Sequence, residues 1–458
     1  MLGKMKAQHL LILSFMLAVA SSARVQAQGR PSSPQDTEAP LLTLEDAVTL
    51  ALGNNRLVKN SLLEAQKFDS RLSTVRSRRL PHFQFSVLGG ELLNSVDFTF
   101  PRGAFGTYPN TGAIPSKETK IHTPRRFATD ITGGLDQPIT QQYKIDLGIR
   151  ATEVGRDIAR EDVRAERQTI AAEVRSAYFE LVATQAGLEA ARQAVGALEE
   201  AQRLTVRYRA QETVLRADAL EVDARLEKSR YELSVTENGL STQSEDLNHL
   251  LGRDLDTPFR VDPIPEQDLT GMTLDDARQR AAQNRPQLRQ AHLKEKQAEY
   301  DRRLAQAEYI PDVSAYVGYL GVHNVEVVPT DVGVAGVLLT WEPFDWGRRH
   351  NTVVEKTKTL EQARNGAQEA EAQVAVEVGL KYRKWQDATL LLKATRTGHE
   401  AAAEQFRVTS NKYQEKAALI KDLLQAQARS AETEFQYQQA LSSYGSALAE
   451  LRRAIGDE

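Results

Sequence analysis

Cysteine is absent from all 458 residues, so disulfides, thiolate metal sites and a cysteine-linked lipid are excluded together. Methionine is nearly as scarce. Only Met272 lies beyond the first 27 residues, which leaves no thioether path for soft metals and disfavours copper export. Past the N-terminus no run offers about 18 consecutive apolar residues, so no helix can span a membrane. If the chain crosses a bilayer, it does so with strands. Basic residues are in slight deficit, 58 against 62 acids. That balance argues against nucleic acid as a partner, which needs a basic face.

Catalytic constellations are missing too. The eight histidines do not pair at metal spacing. No H-E-x-x-H, P-loop or G-x-G-x-x-G occurs, so no cofactor and no enzymatic activity are expected. The acids of "TLEDA" and "TLDDA" read as first-turn carboxylates behind capping Thr43 and Thr273, not as an acid/base pair. His399 falls on an apolar helical stripe and reads as a packed residue rather than a ligand.

What is present begins with a leader. Lys4 and Lys6 precede an apolar run from Leu10 to Ala20, and Val25, Gln26 and Ala27 offer small residues for cleavage. Residues 1–27 are therefore expected to be a secretory signal. Its removal takes the basic count from 58 to 55 and the net charge from −4 to −7. Residues 28–40 form a polar, proline-bearing lead-in.

The chain then states one pattern twice. "LTLEDAVTLALGNNR" at Leu42 is answered by "MTLDDARQRAAQNRP" at Met272, 230 residues on. Thr43, Asp46, Ala47, Ala51, Asn54, Pro81 and Val87 recur in register as Thr273, Asp276, Ala277, Ala281, Asn284, Pro311 and Val317. At a second offset of 204, Glu173, Val174, Tyr178, Asp218, Leu247 and Gly252 recur as Glu377, Val378, Tyr382, Asp422, Leu451 and Gly456. An internal duplication follows, with repeats at 41–252 and 272–458 joined by a linker at 253–271. The first repeat carries 26 extra residues, most of them in 91–126. The glycines and prolines crowded there predict a long loop without a regular ladder.

Proline marks where helices can run. None lies between Pro138 and Pro258 and none follows Pro343, and proline is excluded from helix interiors. Each proline-free stretch can hold two long helices. In the first, Val174, Ala177, Leu181, Thr184, Leu188, Ala191, Val195 and Leu198 keep a three-four spacing, and Leu226, Leu233, Leu240 and Leu247 fall seven apart. In the second, Trp385, Ala388, Leu392, Thr395, His399, Ala402 and Phe406 do the same. Such spacing signals side-by-side packing with coiled-coil geometry, although an ordinary bundle has the same period. A helix from residue 153 to 209 would run on the order of 85 Å.

Strand candidates precede the long helices. Phe83, Phe85 and Val87 alternate with polar or small neighbours, as do Val313, Ala315, Val317 and Tyr319. Phe127, Thr129, Ile131 and Leu135 alternate with Asp130, Thr132 and Asp136, and residues 332–341 form a more uniformly apolar strand. Period two with one polar face suits a membrane barrel. Four strands cannot close one, since known barrels begin at about eight, so the chain must oligomerise in a membrane. A soluble helical protein with two surface hairpins is the alternative.

With these features the chain resembles the TolC-type outer-membrane efflux channel family across residues 41–458. The paired openings carry the resemblance, with Pro286 suited to a first helical turn. So does "TWEPFDWGRRH", similar to the family's strand-to-helix signature through Pro343, Phe344, Asp345, Gly347 and Arg348, with a weaker copy in "LDQPIT" at Leu135. The resemblance implies an α+β membrane protein of duplicated helix, β-hairpin and long helical hairpin. A homotrimer would form one 12-stranded β-barrel continued by a 12-helix α-barrel, set in outer-membrane lipid and extending into the periplasm. It implies a passive exit duct of a tripartite efflux or type I secretion system, with an inner-membrane pump and a periplasmic adaptor protein as partners. A periplasmic coiled-coil scaffold without channel activity is the alternative. The adaptor-docking helical tips would comprise Tyr208, Gln211, Val214 and Asp218 in one repeat and Tyr413, Lys416, Leu419 and Asp422 in the other. Gln211 and Lys416 depart from the glycine that the family usually carries there.

Overall fold

The structure is a computed structural model that describes residues 40–210, 215–262, 272–326, 328–415 and 417–457. The first repeat runs β1 (Leu41–Leu42), α1 (Leu44–Asn54), α2 (Arg56–Ser77) and β2 (His82–Glu91). An insertion follows with β3 (Val96–Phe100), β4 (Thr107–Tyr108), β5 (Gly112–Ala113) and β6 (Thr119–Thr123). Then come β7 (Phe127–Pro138), α3 (Gln141–Ala210) and α4 (Arg216–Leu251). The second repeat has β8 (Arg260–Val261), α5 (Leu274–Asn284), α6 (Pro286–Ala307), β9 (Asp312–His323), β10 (Asp331–Thr340), α7 (Arg348–Gln414) and α8 (Ile420–Ile455).

The duplicated openings fold alike because their caps are alike. The Thr43 hydroxyl accepts the Asp46 N–H at 3.1 Å, and Thr273 accepts the Asp276 N–H at 3.2 Å. Each cap is worth about 1 kcal/mol. Pro286 opens α6, where its missing N–H has no helical partner to lose.

The three-four stripes are buried as their spacing requires. Val174, Leu181, Leu188 and Leu198 on α3 are inside, as are Leu226 and Leu247 on α4. Trp385, Ala388, Leu392 and Ala402 line the same kind of seam on α7. Fully burying one such leucine contributes about 1.5–3 kcal/mol, so the seams, not helix propensity, hold these long helices. α2 and α4 lie against α3, α3 lies against α6 and α8, and α6 and α8 lie against α7. The helices thus form four columns, with α1 on α3 and α4, and α5 on α7 and α8.

Two expectations need correction. The first long helix starts at Gln141, not near residue 153, and its 70 residues span about 105 Å. Weak formers such as Gly148 hid that first stretch, and packing on α2 and α6 overrides them. Residues 91–126 also do contain ladders. β3 pairs antiparallel with β6, and β4 with β5. Apart from Gly112 in β5, the glycines and prolines lie outside these strands, so Val96–Phe100 and Thr119–Thr123 keep all their N–H donors.

Candidate functional site

Four antiparallel strands form one sheet in the order β10-β9-β7-β2. The two hairpins are joined through β7 and β9, where Leu135 faces Val317 and Thr132 faces Leu320. Register sorts the side chains. Phe83, Phe85 and Val87 oppose Leu135, Gly133 and Ile131, and Val317 opposes Ala335, so one face is apolar across its middle. On the other face His82 opposes Asp136 and Ser86 opposes Thr132, their hydroxyl oxygens 2.5 Å apart. Phe83, Phe85, Val337 and Leu339 are exposed on the apolar face. β2 and β10 each pair on one side only, so a row of N–H and C=O groups is open at either edge.

Below the sheet, columns are made by helices meeting end to end. α4 ends at Gly252 and α8 at Gly456, both left-handed, with φ of 68° and 86°. A Cβ on Gly252 would lie 2.6 Å from the Asn54 carbonyl oxygen, and one on Gly456 would lie 2.7 Å from the Asn284 Cβ. Glycine is required there by conformation and by contact. The end of α4 therefore abuts the start of α2, and the end of α8 abuts the start of α6.

Buried polar groups fasten both joints. The Asn55 amide donates to the Leu250 carbonyl at 2.9 Å while its oxygen accepts the Leu57 N–H at 2.8 Å. At the equivalent second joint stands Arg285, which is buried. It donates to the Arg453 carbonyl at 3.2 Å and pairs with Glu377 at 2.5 Å. Burial pushes the Arg285 guanidinium down, and Glu377 offsets part of that. Gln168 of the first repeat ties the halves together by donating to the Gly456 carbonyl at 2.7 Å. The sequence flagged none of these three residues. Asn55 and Arg285 each follow a repeated asparagine, which was the available signal.

The strand-to-helix signature is a cap. The Asp345 carboxylate accepts the N–H of Gly347 and of Arg349, each at 3.1 Å, and pairs with the Arg349 guanidinium. Desolvation works against it, yet these donors hold the Asp345 carboxyl below its ordinary range. Arg348 pairs with Glu342 at 2.5 Å. Phe344 is exposed and meets Trp346 edge to face at 4.7 Å. Pro343 precedes this turn, where no ladder N–H is needed.

At the far end, Tyr208 lies in the last turns of α3, while Gln211, Val214 and Lys416 fall outside the described residues. Leu419 is exposed, and its N–H donates to the Asp422 carboxylate at 3.2 Å. Asp218 holds the same place in the first turn of α4 and is half-buried. Tyr413 is buried among Leu198, Val222, Leu226 and Leu424, so it packs the tip from within instead of presenting a face.

The sequence matches the family described as outer membrane efflux protein over residues 47–253 and 277–457. The chain belongs to that family. None of the curated proteins matches it in sequence. Among solved structures it is similar to the outer-membrane channel OprN, with 16% identity over 91% of this chain and 90% of that one and a TM-score of 0.72. The Campylobacter jejuni CmeC outer membrane channel gives 17% identity, 90% and 85% coverage and a TM-score of 0.72. The open Neisseria gonorrhoeae MtrE outer membrane channel gives 16%, 90% and 89%, and 0.68. At such identities these likenesses speak to the fold.

Membership of the outer membrane efflux protein family gives the sheet and the helices their setting. Proteins of this family sit in the outer membrane and extend into the periplasm. Among the described residues no helix is long and apolar enough to cross a membrane. No group of His, Asp or Glu among them could hold a metal ion.

Proposed function

We propose that this outer membrane efflux protein is a passive exit duct, carrying substrates from an inner-membrane pump to the outside. The observation that carries the reading is one sheet with two open edges and one apolar face. Backbone groups left open in lipid cost several kcal/mol each, about as much as burying any unpaired polar group. Edge β10 of one copy has the complementary partner in edge β2 of the next, and three copies would close twelve strands. The duct then continues through helices about 100 Å long, far enough to meet a periplasmic adaptor. In this reading the driving energy comes from the pump, and the sequence carries no P-loop.

The test is extraction from outer membranes in detergent, sizing of the oligomer, and conductance after insertion in a planar bilayer. Three chains per particle with stepwise conductance is the expected result. A monomer stable in plain buffer and silent in bilayers would replace the duct with a periplasmic coiled-coil scaffold.

A further inference from the structure

Between α2, α3 and α6, just below the sheet, lies a cavity of about 390 Å³. Five cations line it: Arg76, Arg79, Arg150, Arg156 and Lys296. Only three carboxylates answer them. Arg79 and Arg150 share Asp146, Arg76 pairs with Glu153 at 2.9 Å, and Arg156 pairs with Asp157 at 3.2 Å. Lys296 enters no ion pair among the described residues. The Tyr300 phenol lines the same wall as Arg150 and adds a further polar group to it. The pocket therefore has a surplus of positive charge and donors facing a common space.

Its position adds a second observation. Tyr143 stands three residues before Asp146 and seven before Arg150, on the same face of α3 and one turn nearer the sheet. Tyr143 is exposed, as are Ile139 and Leu80. The Ile139 N–H donates to the Val313 carbonyl at 2.9 Å, which continues the ladder of β7. Ile139 thus keeps the alternation of Leu135 and extends the apolar face of the sheet. Leu80 adjoins Arg79. Exposed apolar side chains thus lie between the basic pocket and the membrane face, with Gln137 the polar residue among them on β7.

We propose that this pocket binds a phosphate ester, supplied by the headgroup of an anionic phospholipid in the leaflet that borders the helices. The phosphate oxygens take the donors of Lys296, Arg76 and Arg150, and an acyl chain follows Tyr143, Ile139 and Leu80. Basic pockets beside membrane-spanning segments recognise headgroups in this way, and arginine matches phosphate oxygens with paired donors. The inference rests on the membrane assignment of the sheet and not on the exit-duct reading, so either can fail alone.

The full-length protein in detergent, in its native oligomer, would be titrated with phosphatidylglycerol, phosphatidylcholine, glycerol 3-phosphate and inorganic phosphate, with bound ligand counted by native mass spectrometry. Phosphatidylglycerol should bind more tightly than the other three. Lys296→Gln and Arg76→Gln should each weaken it about fivefold, the effect expected of one basic residue at a charged surface. Ile139→Ser should weaken the lipid but leave glycerol 3-phosphate unchanged. Thermal melting of each variant checks that the fold persists. Equal binding of the two lipids, or no loss in the Lys296→Gln and Arg76→Gln variants, overturns the site. Glycerol 3-phosphate or inorganic phosphate binding as tightly as phosphatidylglycerol overturns the lipid source.

Discussion

The Tyr178 hydroxyl donates to the Leu42 carbonyl at 2.7 Å and accepts the Asp262 N–H at 3.0 Å. It thereby pins the parallel β1 and β8 pair onto α3. Tyr382, its repeat partner, donates to the Met272 carbonyl at 2.9 Å. Burial pushes the Tyr178 phenol up, so it stays a donor through the physiological range. Tyr178→Phe leaves a buried carbonyl and an N–H unpaired, and should cost about 1–3 kcal/mol. Tyr382→Phe strands the Met272 carbonyl and releases the Gln386 amide, which is exposed and can turn to water, so it should cost less. Melting midpoints of the two variants in detergent give the comparison, and equal losses would refute this account.

Gly445 on α8 should not tolerate a methyl group. A Cβ there would sit 2.0 Å from the Phe179 Cγ of α3. Gly445→Ala should destabilise by about 1–3 kcal/mol, the usual range for overpacking. In a Phe179→Ala background the same change should be nearly silent, because the clash has been removed. Additive losses in the double variant would mean that the contact is not the cause.

Glu173 repeats Glu377, but Asn55 stands where Arg285 would neutralise it. Burial pushes the Glu173 carboxyl up, with Glu166 and Glu450 adding to the rise and Arg453 opposing it. A carboxyl raised above its ordinary 4.5 is held unfavourably ionised at neutral pH. Stability is therefore lost above the raised value and recovered as pH falls through it. Glu173→Gln should melt higher than the native chain at neutral pH. The gap should narrow as pH drops towards and through the raised value. A gap that does not change with pH would count against the titration.

Adaptor docking can be tested at the tips with a single thiol, since the native chain has none. Gln211→Cys and Lys416→Cys should each cross-link the cognate adaptor in cells carrying out efflux. Asn110→Cys, in the insertion between β2 and β7, should not. Failure of both tip variants under active efflux would remove the docking assignment.

Much of this architecture is local, and local patterns can be read from a chain. The caps at Thr43 and Thr273, the period-two strands, the proline-free helices and the left-handed glycines 252 and 456 each depend on a few adjacent residues. Their recurrence at fixed offsets was enough to reveal two repeats. The aspartate cap of "PFDWGRR" is equally local, because Asp345 bonds residues two and four positions on, but the sequence identifies the motif only through its family resemblance.

Tertiary structure decided which of these pieces meet. That α4 continues into α2 rests on Asn55 reaching Leu250, 195 residues away, and one of the ties between halves is Gln168 reaching Gly456 across 288. No periodicity carries such pairings. A polar side chain at a helix boundary looks the same whether water or a distant carbonyl satisfies it, and only burial distinguishes the two. For the same reason Tyr413 could be placed at a tip by its position in the chain, while only packing against Leu198 and Leu424 turned it inward.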